Sequence, residues 1–189
     1  MKRIIKKVFV LLIKPISTLF YDKIYLKGKY FDENISGWYW VVKGIWFQKI
    51  LRLSNHNDAP FPISYKVELS SYKNIIFHRD TINNFQSPGC YFQNIDAKIF
   101  ICKGVYIAPN VGLITTNHDL NDLDKHQKGK NIVIGQNCWI GMNSIILPGV
   151  KLGKNTIVGA GSVVTKSFRQ KNIIIVGNPA KIIRYLEKK

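Results

Sequence analysis

The stretch IGQNCWIGMNSIILPGVKLGKNTIVGAGSVV, residues 134–164, carries an aliphatic residue at every sixth position: Ile134, Ile140, Ile146, Leu152, Val158 and Val164. Upstream the same spacing runs through Ile95, Ile101, Ile107 and Leu113. Glycine commonly follows, at Gly135, Gly141, Gly153 and Gly159. A small or β-branched residue sits four places on, at Val105, Val111, Cys138, Ser144, Val150, Thr156 and Ser162. A period of six matches neither an amphipathic helix nor a half-buried strand, whose periods are about 3.6 and 2. It suits a chain that turns a corner every six residues, with three corners to a coil. The aliphatic residue then points into a triangular prism and the small one fills the remaining interior. Glycine after the corner reads as relief for torsions that a Cβ resists. Such coils stack by parallel pairing, each burying its face on its neighbours. An all-β solenoid is expected.

The register breaks once, between Leu113 and Ile134. The intervening segment 117–131 is polar, lacks the period and reads as a loop ejected from the coil. A long connection without secondary structure of its own is usually functional. Upstream, the stretch from about Pro60 to Asn94 shows weaker pieces of the pattern, with a corner at Ser87–Tyr91. This gives a solenoid over 56–175. Residues 1–55 differ: they hold Trp38, Trp40 and Trp46, and basic residues alternate with apolar ones at helical spacing over Lys2–Leu19 and Trp38–Leu53. They read as two helices packed on the end of the solenoid or as a surface touching anionic membrane through residues 1–53. Residues 176–189 read as a turn followed by a short basic helix from Lys181 to Lys189, with Pro179 at its start.

With 28 Lys and Arg against 11 Asp and Glu, the net charge of +17 predicts a phosphate-bearing or otherwise anionic partner. The three cysteines, Cys90, Cys102 and Cys138, form no C-x-x-C pair, which argues against a disulfide framework and fits a reducing compartment. They are expected to be small buried hydrophobes. The N-terminal apolar run, Val8 to Ile13, is too short for a membrane span and precedes no cleavage-type site, so the protein is expected in the cytosol.

The segments VYIAPNV (105–111), TTNHD (115–119), NCWIGM (137–142), ILPGV (146–150), VGAGSVVTK (158–166) and GNPAK (177–181) follow one another in order. Together they resemble the hexapeptide-repeat acyltransferases, and within them the polysaccharide-biosynthesis O-acetyltransferases related to galactoside and maltose acetyltransferases. The resemblance covers about residues 87–185 and leaves the N-terminal 55 aside. It implies a left-handed parallel β-helix, a homotrimer, acetyl-CoA in the cleft between adjacent prisms, and one catalytic histidine per site. A sugar hydroxyl in surface polysaccharide synthesis is the expected acceptor, a lipid-linked glycan if the N-terminal segment touches membrane, with an amino sugar on a nucleotide as the alternative.

Acetyl transfer from a thioester to a hydroxyl needs a base, a held pair of substrates and a stabilised oxyanion. His118 stands at the register break, and the resemblance assigns it as the base; an imidazole is largely neutral at cellular pH. Asp119 is a candidate to orient it. No cysteine adjoins a histidine in sequence, so direct attack is preferred to a covalent enzyme intermediate. By resemblance, a main-chain amide near Gly141 and Met142 meets the oxyanion, and Trp139 lines the acceptor cleft with Asn117 and either Gln93 or Asn94. The relatives' acceptor-binding asparagine has no residue-for-residue match here. Ala160 and Gly161 allow the pantetheine arm to lie flat, followed by Thr165 and Lys166, with Lys166, Lys181 and Arg184 toward the nucleotide phosphates. No metal is expected. A carbonic-anhydrase-like zinc site on the same fold needs three clustered histidines, whereas this chain has only His56, His78, His118 and His126. A nucleic-acid module lacks its groove-reading or base-stacking motifs. A non-catalytic membrane scaffold would have no use for His118.

Overall fold

The computed structural model describes residues 2–187. Two helices open the chain, α1 (Lys2–Ser17) and α2 (Ser36–Gly44), the latter continuing in a wider helical turn over Ile45–Ile50. Short strands follow in close succession: β1 (Glu68–Leu69), β2 (Ile75–Phe77), β3 (Tyr91–Gln93), β4 (Ile99–Ile101), β5 (Tyr106–Ile107), β6 (Gly112–Ile114), β7 (Ile132–Ile134), β8 (Trp139–Ile140), β9 (Ile145–Ile146), β10 (Lys151–Leu152), β11 (Thr156–Val158), β12 (Val163–Val164), β13 (Ile173–Gly177) and β14 (Ala180–Tyr185). They form three sheets. The first face holds β1-β3-β6-β9-β12, the second β2-β4-β7-β10 and the third β5-β8-β11-β13-β14. From β3 to β12 the chain visits the faces in strict rotation, and every pairing is parallel except β13 with β14. Parallel strands that follow each other this closely cannot be neighbours in one sheet, because a parallel connection needs a long crossover. Winding through three faces resolves that constraint.

The inner positions of the period are filled as expected from Ile101 onward: none of Ile101, Ile107, Leu113, Ile134, Ile140, Ile146, Leu152, Val158 and Val164 is more than 4% exposed. The small residues of the second series, Val105, Val111, Cys138, Ser144, Val150, Thr156 and Ser162, are buried among them. Ile95 does not belong to the inner row. It is 56% exposed, because the corner over 94–98 carries extra residues and slips the register; Phe92 takes the inner place, stacked below Leu113, Ile146 and Val164.

Gly141 is required by close approach rather than by its torsions: a Cβ there would lie 2.6 Å from the Ala160 nitrogen and 2.7 Å from the Val158 oxygen of the next coil. The left-handed torsions fall instead on asparagines, with φ of 55° to 60° at Asn110, Asn137, Asn143, Asn155 and Asn172, and on other glycines, with φ of 69° to 84° at Gly89, Gly104, Gly149 and Gly161. Asparagine tolerates that region better than other Cβ-bearing residues. Asn137, Asn155 and Asn172 stack at the corner between the second and third faces, and the Asn155 Nδ2 donates to Asn172 Oδ1 at 2.6 Å. Asn110 and Asn143 hold the corner between the third and first.

The expected basic helix from Lys181 is absent; Lys188 and Lys189 lie outside the described residues. Ala180–Tyr185 is a strand that doubles back on β13. The last coil leaves an unpaired strand edge, and β-branched Ile182 and Ile183 with Tyr185 suit a strand that covers it. Pro179 therefore sits in a hairpin turn, not at a helix start.

The N-terminal helices pack on the opposite end. Trp38 and Val41 of α2 are buried in one continuous core with the coils, and Phe9, Val10 and Ile13 of α1 lie against it. An aromatic stack of Phe61, Phe77, Phe85 and Phe92 leads from this cap into the prism. Fully buried Gln48 ties the two parts together: its amide donates to the carbonyls of His56 and Phe61 and accepts from the Tyr21 hydroxyl and the Ile63 N–H. No helix among the described residues is long and apolar enough to cross a membrane.

Candidate functional site

The ejected segment leaves the first face after β6 and returns at β7, at the corner between the first and second faces. It is more ordered than its polar sequence suggested. The Asp119 N–H donates to the Lys125 carbonyl and the Gln127 N–H to the Asn117 carbonyl, closing a small antiparallel loop that pairs His118 with His126. Lys125 and Asp122 bridge at 2.8 Å across its tip. Thr116 anchors its base through a 2.6 Å bond from its hydroxyl to the Gln127 carbonyl.

His118 is exposed, and its ring lies 4.5 Å from that of His126. Its Nδ1 is 2.7 Å from the Leu123 carbonyl oxygen. A carbonyl can only accept, so Nδ1 carries the hydrogen, and in the neutral ring Nε2 keeps its lone pair. This is the state a general base requires. Asp119 does not hold the ring as expected: its carboxylate accepts from the Asn121 N–H at 2.8 Å and caps the turn. A main-chain carbonyl leaves no trace in side-chain identity, which is why Leu123 escaped the sequence.

Gln93 and Asn94 are likewise reassigned. Gln93, 8% exposed, accepts from the Thr115 and Thr116 N–H groups and donates to the Thr116 carbonyl. Asn94 is fully buried and makes a paired bond with the Ser71 backbone at 2.9 and 2.7 Å. Both amides brace the coil and the root of the loop, so neither is free to meet an acceptor. Asn117 is exposed beside His118.

At the corner between the third and first faces, the Gly141 N–H donates to the Val158 carbonyl at 2.8 Å and is committed to the coil. The neighbouring Met142 N–H finds no acceptor among the described residues. Of the expected pair, Met142 alone has a free amide. Directly above it stand exposed Ala160 and Gly161, the latter donating to the Met142 carbonyl, and a Cβ at Gly161 would meet nothing within 4 Å. This surface is open and flat. Trp139, 55% exposed, lies on the outer row of the third face directly above Tyr106. The Tyr106 hydroxyl takes a 2.9 Å hydrogen bond from Lys29 Nζ, which holds the phenol below its ordinary range. Sequence reading passed over Tyr106, because its partner lies in the N-terminal segment.

Thr165 and Lys166 are exposed at the same corner as the loop, and Lys181 and Arg184 are exposed on β14. Within one chain the candidate residues thus occupy separate places: His118 at one corner, Met142, Ala160 and Gly161 at another, with the first face between them. Cys90 and Cys138 are buried as expected, whereas Cys102 is half-buried.

Residues 131–166 match the family model described as bacterial transferase hexapeptide (six repeats). The chain is 41% identical over 96 residues to the galactoside O-acetyltransferase of Escherichia coli, covering 47% of this chain and 45% of that protein. Among solved structures it is similar to a maltose O-acetyltransferase from Clostridium difficile, with 32% identity, a TM-score of 0.54 and coverage of 65% of this chain and 64% of that one. A hexapeptide-repeat-containing acetyltransferase from Vibrio cholerae matches at 27% identity and a TM-score of 0.56, covering 67% and 70% of the two chains. The chain spans about half the length of the curated relatives it matches. The resemblance drawn from the repeat is therefore met: the chain carries the hexapeptide repeats of these transferases.

Proposed function

We propose that this protein transfers the acetyl group of acetyl-CoA to a sugar hydroxyl, with His118 as general base, in a homotrimer of left-handed parallel β-helices. The observation that carries the reading is the His118 tautomer. A hydrogen bond from Nδ1 to the Leu123 carbonyl makes Nε2 the accepting nitrogen of the neutral ring, on an exposed side chain. The likeness to galactoside and maltose O-acetyltransferases supports a sugar acceptor.

In this mechanism Nε2 takes the acceptor's hydroxyl proton as its oxygen attacks the thioester carbon. The resulting oxyanion accepts a hydrogen bond from the Met142 N–H, a preorganised donor of the kind that commonly contributes hundreds-fold, about 10²–10³, to acyl transfer. Collapse of the intermediate expels coenzyme A thiolate, which takes the proton back from the imidazolium. The pantetheine arm lies along Ala160 and Gly161 toward Thr165, with Lys166, Lys181 and Arg184 available to the phosphates. Trp139 and Asn117 face the acceptor, and Tyr106 extends the aromatic row. Since the base and the oxyanion donor belong to different corners of one prism, a neighbouring protomer completes each site. Leu120 and Leu123, 86% and 70% exposed on the loop, are apolar surface that such a neighbour would cover. We place the acceptor in surface polysaccharide synthesis on the cytosolic side.

The test is a radiolabelled acetyl-CoA assay against soluble nucleotide sugars and membrane glycan fractions in parallel, comparing wild type with His118→Ala. General-base loss is expected to lower the rate by about 10²–10⁴-fold, with the assembly mass unchanged by light scattering. Retention of wild-type turnover by the variant would remove His118 from the mechanism.

A further inference from the structure

Helix α1 is apolar on two sides. Phe9, Val10 and Ile13 lie against the core and Ser17 is buried. On the outer side Ile4, Ile5, Val8, Leu11, Leu12 and Ile16 are 46% to 74% exposed. At 3.6 residues per turn these six share one broad arc, edged by exposed Lys7 and Lys14. The stack of Phe9 on Tyr39, centroids 5.1 Å apart, joins this arc to α2. Along α2 and the wider turn that continues it, Tyr39, Val42 and Trp46 recur at i, i+3 and i+7 and are 50%, 39% and 55% exposed. A helix apolar all round normally lies within a core; here the outer side has no cover among the described residues.

We infer that this face seats the protein on an anionic lipid surface, with the outer arc of α1 and the row of Tyr39, Val42 and Trp46 entering the headgroup boundary. The charge pattern selects that occupant. The α1 sequence KRIIKKVFVLLIKPIS contains five basic residues and no acidic one, within a chain of net charge +17. Two copies pairing through this face would bring lysines of one sign together, and lysines are depleted at protein interfaces. Negatively charged headgroups meet them favourably, and tryptophan and tyrosine suit the interface. The helix is a single four-turn element that would lie in the surface plane.

The experiment is vesicle co-sedimentation of the full chain, using phosphatidylcholine vesicles with and without one-third phosphatidylglycerol. Wild type is expected to pellet with the anionic vesicles and to be released as salt is raised. Lys7→Gln/Lys14→Gln, two exposed positions that leave the fold untouched, should weaken partitioning about fivefold per lysine. Leu11→Asp/Leu12→Asp should abolish it while melting temperature and soluble acetyl transfer stay at wild-type values. Three results would overturn the proposal: wild type remaining in the supernatant at low salt, equal pelleting with both vesicle types, or the leucine variant losing oligomeric mass in solution. The last would assign the face to copies of this chain.

Discussion

Replacing Gln93 with leucine separates a framework role from an acceptor-binding one. In the folded chain the Thr115 N–H is shared between the Gln93 carbonyl and its side-chain oxygen, both at 3.0 Å, so it keeps a partner when the amide is removed. Thr116 does not. Its N–H, 3.1 Å from Oε1, and its carbonyl, 3.3 Å from Nε2, both lose their partner at a residue only 3% exposed. Each buried unsatisfied group costs about 1–3 kcal/mol, and added apolar burial at leucine returns about 1 kcal/mol. The net loss is about 1–5 kcal/mol, or roughly 2–20 °C in Tm for a chain of this size. Thr116 lies two residues before His118, and a displacement of the order of 1 Å can lower turnover about a hundredfold. Thermal unfolding and steady-state kinetics are measured on the same preparation. The expected result is a lower Tm and kcat with acceptor KM little changed, and partial recovery in Gln93→Glu, which keeps the accepting oxygen. A leucine variant as stable as wild type, with only KM raised, would refute this reasoning and return Gln93 to the acceptor cleft.

Three further outcomes follow from other parts of the structure. Gly141→Ala forces a Cβ against main-chain atoms of the next coil that cannot move aside; a loss of about 1–3 kcal/mol is expected, and an unchanged melting temperature would show that the coils can spread. Burial holds the His56 imidazole below its ordinary pKa near 6.5, with one ring nitrogen on the Val67 carbonyl at 2.9 Å. The unfolded chain therefore binds this proton first, so the contribution is whole above about pH 6.5 and is lost as pH falls toward the folded value; urea unfolding from pH 7.5 to 5 should show the decline, and His56→Gln should flatten it. Burial raises the Cys138 thiol to about 11 and pushes Cys90 upward as well. Because the thiolate is the reactive form, alkylation of native protein at pH 8 should label half-buried Cys102 first, as read by peptide mass mapping.

The solenoid was legible because its period is written in side chains that must all be inside: Ile134 to Val164 kept one spacing without a miss. It failed at Ile95, where the corner over 94–98 lengthens and nothing in local composition marks the slip. The C-terminal strand was misread because Lys181 to Lys189 is rich in helix formers, while the open edge of β13 that recruits Ala180–Tyr185 exists only after the coils have stacked. The ejected loop that carries His118 was legible from the register break, but not the Leu123 carbonyl that its ring meets. Gln93 and Asn94 looked like ligands for the same reason that they make good braces: a side-chain amide both donates and accepts, and only the neighbouring coil decides which partner it meets.

The asparagine columns bear on how such a prism can be altered. At two of its edges left-handed residues recur at the bends, Asn110 and Asn143 with Gly89 and Gly161 at one, and Asn137, Asn155 and Asn172 with Gly104 at the other. No asparagine of that kind guards the remaining edge among the described residues, and there the connections run from the tight 147–150 to the long 115–131. Lengthening a flexible connection costs little, about 0.6 kcal/mol per doubling. That edge is consequently the place where foreign segments could be grafted without disturbing the stack, and where one scaffold could be re-equipped for different acceptors by exchanging a single insert.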